Sequence, residues 1–108
     1  MAFGFPPRHS EQLSLSAGPA DLHAAVRDSL NTLAWTVKQD GGQSLRAAVG
    51  VSLFSYGERV QIQVESDRTL RISSRNVFPL QFYDWGKNKR NVERFVSELR
   101  RRSVVTPA

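Results

Sequence analysis

Between residues 35 and 72 the chain alternates apolar and polar side chains in four short runs. Leu45, Ala47, Val49, Val51 and Leu53 take every odd position, and Val60, Ile62 and Val64 every even one. Trp35 and Val37 alternate before them, and Leu70 and Ile72 after them. A period of two with polar partners between marks strands that bury one face and wet the other. The turns around Gly41, Gly57 and Asp67 are short, so consecutive strands must be antiparallel neighbours. Such a sheet needs something apolar on its dry face.

Two helices supply it. Gly18-Pro19 ends a short strand candidate at Leu13 and Leu15, and Pro19 suits a first helical position because its missing N–H is not needed there. Leu22, Ala25, Val26, Ser29, Leu30 and Leu33 then recur with a period near 3.6, predicting a helix over roughly 19–33 with one buried stripe. Val92, Phe95, Val96 and Leu99 form a second stripe near the C-terminus. The expected fold class is α+β: an antiparallel four- to five-stranded sheet with two helices on one face, in the order β-α-β-β-β-β-α. That order resembles one half of a TATA-binding-protein-like domain, a likeness of element order that implies no function. Residues 11–103 are expected to form a single domain, with flexible tails at 1–10 and 104–108.

Composition bounds the function classes. The chain has 108 residues and no cysteine, enough for one core and consistent with a reducing, cytoplasmic setting. No apolar stretch approaches the roughly 18 residues of a membrane span, and the first residues lack a secretion signal. The formal net charge is +5. Residues 68–102 carry ten Lys or Arg against Asp84, Glu93 and Glu98, whereas residues 1–67 carry five cations against seven acids. A basic C-terminal third suits an anionic partner: phosphate, nucleic acid or an acidic protein.

Catalysis finds little support. His9 falls in the expected tail and His23 at the edge of the first helical stripe, neither with a metal-spaced or nucleophile-spaced companion. The glycines form no phosphate-binding loop. Glu58, Glu65 and Asp67 are the one group of close carboxylates. No catalytic residue, cofactor or metal ligand is assigned. A nucleic-acid-binding sheet of the stacking kind would carry rings at its wet positions. Those positions are Arg46, Ala48, Gly50, Ser52, Arg59, Gln61, Gln63, Glu65, Arg71 and Ser73, none of them aromatic, which leaves contacts to backbone phosphates.

The segment Asp84-Trp85-Gly86-Lys87-Asn88-Lys89-Arg90-Asn91 opens the last helix with cations, where the dipole favours anions. If Asp84 is the N-cap, its carboxylate accepts from the N–H of Gly86 or Lys87. Trp85 then joins the inward stripe and Asn88 sits at its edge, while Lys87, Arg90, Arg94 and Arg101 face outward. Asn88 as the cap is the alternative. An inward Asn88 needs polar partners, which Ser73, Ser74 and Arg75 at the end of the last strand are placed to supply. Two expectations follow: an anion site made of Arg75, Lys87, Asn88, Lys89, Arg90 and Asn91, and a structural polar cluster of Ser74, Arg75, Asp84 and Asn88. The ring-rich loop 76–83 either closes one end of the core or presents Phe78, Phe82 or Tyr83 to a protein partner.

At Arg71, Ser74 and Arg75, followed by Asp84, Gly86 and Asn88, the chain resembles a bacterial family of uncharacterised domains with R-x-x-S-R at a strand end and D-x-G-x-N opening a helix. The likeness spans roughly residues 20–100, and the loop at 76–83 is longer here. It implies the fold and the polar cluster, with no reaction attached. The expected function is a small non-enzymatic binding or accessory domain with an anionic partner. Its rival is a structural or protein-interaction module without an anion site.

Overall fold

The computed structural model describes residues 8–50, 57–66, 68–76 and 86–106. Its elements run β1 (Arg8–Ser14), α1 (Pro19–Thr32), β2 (Thr36–Asp40), β3 (Ser44–Val49), β4 (Glu58–Ser66), β5 (Thr69–Asn76) and α2 (Lys87–Arg101). The five strands form one sheet in the order β1-β5-β4-β3-β2, every adjacent pair antiparallel. This is the α+β order expected from the alternation. α1 carries the chain from the β1 edge to the β2 edge, and the meander β2 to β5 brings it back beside β1.

Local chemistry sets the element ends. Gly18 caps α1 in an extended conformation before Pro19, and Ala34 ends the helix with a left-handed φ of 59°. The N–H of Trp35 then returns to the Leu30 carbonyl at 3.0 Å, which sets the indole at the core. Its ring lies nearly parallel to that of Phe95, with centroids 6.1 Å apart. The β2–β3 turn is held by the Asp40 carboxylate, whose Oδ1 accepts from the Gly42 N–H at 2.9 Å.

Strand parity decides the core. Leu45, Ala47, Val49, Val60, Ile62, Leu70 and Ile72 face the helices, which contribute Leu22, Val26 and Leu30 from α1 and Val92, Phe95, Val96 and Leu99 from α2. α2 lies against β5 and β1, and α1 against α2 and β2.

Four expectations shift. β1 begins at Arg8 and pairs with β5 along its whole length, so the expected tail over 1–10 loses its last three residues. The inward positions at its start are His9 and Glu11, so apolar alternation announced only its end, at Leu13. At the other end Val104 and Val105 are buried, and the Thr106 N–H donates to the Ser14 carbonyl at 2.9 Å. The domain therefore continues to 106. Ala48, expected on the wet face, is buried because its small side chain lies in register between Thr36 and Arg59. α2 starts at Lys87 behind Gly86, which has φ 90° and makes no side-chain cap hydrogen bond. Asn88 is therefore inside the helix and does not cap it. Asp84, Trp85, the rings of loop 76–83, and Val51, Leu53 and Asp67 lie outside the described residues.

Candidate functional site

Both sides of the sheet are polar near the end of β5, in different ways. Leu70 and Ile72 face inward, so Ser74 does too, and Arg75 must face outward. On the inner side Ser74 and Asn88 are fully buried, with Glu58 and Asn91 nearly so. The Ser74 hydroxyl donates to Asn88 Oδ1 at 2.7 Å. It accepts from Asn91 Nδ2 at 3.3 Å, and the same amide nitrogen donates to Glu58 Oε1 at 2.9 Å. Asn88 and Asn91 are three apart on α2 and therefore share a face. Three elements are tied together in this way: β4 through Glu58, β5 through Ser74 and α2 through both asparagines. His9 stands opposite Ser74 in the β1–β5 register, and its Nε2 lies 3.6 Å from Glu11 Oε2.

Such a cluster pins the helix to the sheet. A buried amide or hydroxyl left without a partner costs about 1–3 kcal/mol, so the register that satisfies all of these groups is favoured over its neighbours. Glu58 belongs to this network. It does not form a carboxylate pair with Glu65, which sits toward the far end of the same strand and holds Arg71 at 3.1 Å and Gln12 at 2.9 Å.

The outer side is cationic. Arg8 is in register with Arg75, and Arg75 with Arg59. Three guanidinium side chains therefore stand directly opposite one another across β1, β5 and β4. In register the row continues to Ala48 and Thr36; Arg46 on β3 stands opposite Gln61, two residues along β4 from Arg59, and with Lys38 on β2 extends the positive face obliquely. Lys38, Arg46, Arg59 and Arg75 line a depression of about 250 Å³ together with Gln39, Gln61 and Ser73. Each strand of the sheet thus supplies at least one cation, and β5 supplies two, Arg71 and Arg75. Among the described residues the only acid on this face is Glu65, held by Arg71 and Gln12 away from the depression. Like charges directly opposite on a sheet are destabilising. Arg59 adds a further cost, because its Nη1 is buried without a hydrogen-bond partner. Ser29 Oγ and Arg100 Nε are the other such side-chain atoms among the described residues, both on helices.

The residues expected to form one anion site therefore separate into three places. Asn88 and Asn91 are inside, bonded to Ser74 and Glu58. Lys87, Lys89 and Arg90 are exposed on α2, where Lys89 reaches Glu93 at 4.0 Å. Arg75 faces the opposite side of the sheet. Of the expected polar cluster, Ser74 and Asn88 meet, Arg75 points away and Asp84 is not among the described residues. The sequence reading missed Arg8 and Lys38 on the outer face, and Glu58 and Asn91 in the inner network. For Glu58 the parity of Val60 and Ile62 carried the signal. His23 bonds Asp40 Oδ2 at 2.8 Å, with Arg27 at 3.5 Å from the same oxygen. The Gly42 N–H, then His23 and Arg27, hold the Asp40 carboxyl below its ordinary pKa.

Comparison with known proteins finds no matching family model and no matching curated protein. No helix among the described residues is long and apolar enough to cross a membrane.

Proposed function

We propose that the protein is a non-enzymatic binding or accessory domain that holds an anionic partner against the outer face of its sheet. One observation carries the reading: each of the five strands places at least one cation on that face, and Arg8, Arg75 and Arg59 stand in register with no acid among them. An anion lying across the row removes the like-charge repulsion. The inner network, by contrast, joins β4, β5 and α2, and its role is to hold α2 on the sheet. Lys87, Lys89 and Arg90 at the start of α2 are exposed, and Arg75 faces the other side of the sheet.

The test compares two variants of equal net charge on a heparin column developed with salt. Arg59→Gln/Arg75→Gln is expected to elute well before Lys87→Gln/Arg90→Gln. Equal elution would mean that retention follows total charge alone, and the outer-face site would fall. Retention lost only with the Lys87 and Arg90 pair would return the site to the helix.

A second reading is a structural module without an anion site, favoured by the buried Glu58–Asn91–Ser74–Asn88 network. It predicts that no polyanion is retained beyond what net charge explains.

A further inference from the structure

We infer that the anion held by the outer face is the phosphodiester backbone of nucleic acid, bound across the β-strands without reading the bases. This rests on the anion-binding reading above and goes on to name the ligand class.

The shape of the charge argues first. Arg8, Arg75, Arg59, Arg46 and Lys38 fall one to a strand, so they form a stripe rather than a cluster. Four inter-strand steps of about 4.8 Å make it about 19 Å long. A single phosphate can engage two or three of these groups at most. A stacked nucleic-acid strand carries a phosphate every ~3.4 Å of axis, and an extended strand spaces them more widely, so the stripe matches a linear polyanion of about three to six charges.

The chemistry of the face argues second. Four of the five cations are arginines, whose planar forks take phosphate oxygens in pairs. Between them stand Ser73, Gln61 and Gln39, neutral donors of the kind that add contacts to phosphate and sugar. Among the described residues this face has no ring and nothing apolar larger than Ala48. Protein interfaces centre on aromatic or arginine anchors held in desolvated pockets; here there is no ring, and Arg8, Arg46 and Arg75 stand exposed. The same lack of rings removes the stacking platform by which sheets hold splayed bases. What remains is backbone contact, which is electrostatic and indifferent to sequence.

Fluorescence anisotropy with labelled 20-nucleotide oligo-dT and oligo-dA, and with polyglutamate of matched charge, tests this on the full chain. The two oligonucleotides are expected to bind within a few-fold of each other and at least tenfold more tightly than polyglutamate. If all five cations contact phosphates, log K should fall against log salt with a slope of about −3.5, close to a hundredfold between 50 and 200 mM. Arg59→Gln/Arg75→Gln should flatten the slope by about 1.4, whereas Lys87→Gln/Arg90→Gln should leave it unchanged, circular dichroism melts confirming that both variants fold. Polyglutamate binding as tightly as the oligonucleotides would overturn the nucleic-acid inference and leave the anion-binding reading standing. A tenfold or larger preference between dT and dA would overturn the sequence-independent backbone mode. Failure to bind any of the three polyanions at low salt would end both the inference and the reading beneath it.

Discussion

At the end of β5 two consecutive residues meet opposite conditions. Ser74 turns inward, fully buried, and its hydroxyl is donor to Asn88 and acceptor from Asn91. Arg75 turns outward into a row of like charges with Arg8 and Arg59. The inner side is polar and satisfied, the outer side charged and uncompensated. Both arrangements are built on the same backbone ladder, so the difference comes from side chains alone. Inside, every polar group removed should lower stability; outside, removing a charge should relieve the fold and cost only binding.

The largest effect should come from the core under the inner face. Phe95 is fully buried and stacks on Trp35, so Phe95→Ala is expected to lower unfolding free energy by about 3–5 kcal/mol in urea titration. Gly57→Ala should follow: the position has φ +76°, and a Cβ there would stand 2.3 Å from the Val49 carbonyl oxygen. A strained left-handed residue and a backbone clash together cost about 2 kcal/mol or more.

The inner network comes next. Asn88→Ala or Ser74→Ala should cost about 1–3 kcal/mol, because each leaves a buried partner without its hydrogen bond. The outer row should behave with the opposite sign. Arg59→Gln or Arg75→Gln is expected to leave stability unchanged or raise it by up to about 1 kcal/mol. If either arginine variant destabilises as much as Asn88→Ala, the two faces are alike and the comparison breaks.

A smaller effect sharpens the contrast by showing an acid that is compensated. Asp40 is held below its ordinary pKa of 3.8 by the Gly42 N–H, His23 and Arg27. A carboxyl whose folded pKa is depressed contributes stability that is complete above the unfolded value and is lost as pH falls through the folded one. The melting temperature should therefore decline on acidification below about pH 4 more steeply in the natural protein than in Asp40→Asn. Identical profiles would show that these contacts add nothing.

Much of this was legible from the period of two. The alternation of Val60 and Ile62, and of Leu70 and Ile72, gave the sheet and its dry face, and Asn88 facing Ser74 followed from the helix stripe. The same parity, carried two residues further, puts Arg75 outside with Arg71 and Glu58 inside with Val60. The expected anion site joined Arg75 to the helix because nearness in sequence to Ser74 outweighed the side on which it stands. Other features were hidden for physical reasons. The start of β1 turns the half-exposed His9 and Glu11 inward rather than aliphatic groups, so its pattern resembles a tail. The cross-strand row exists only once Arg8, Arg75 and Arg59 are in register, and pairing of β1 with β5 is a long-range fact that local pattern does not contain. The start of α2 rests on Gly86 in a left-handed conformation, although Asp84 and Asn88 both have better capping side chains.

Central to the account is the claim that anions meet this protein on the open side of the sheet and not at the start of α2. A ¹H–¹⁵N titration with tripolyphosphate at low salt tests it most directly. Shifts are expected to concentrate at Arg59, Gln61, Ser73 and Arg75, with Lys87 through Asn91 unmoved. Shifts confined to Lys87 through Asn91, or none anywhere, would contradict it.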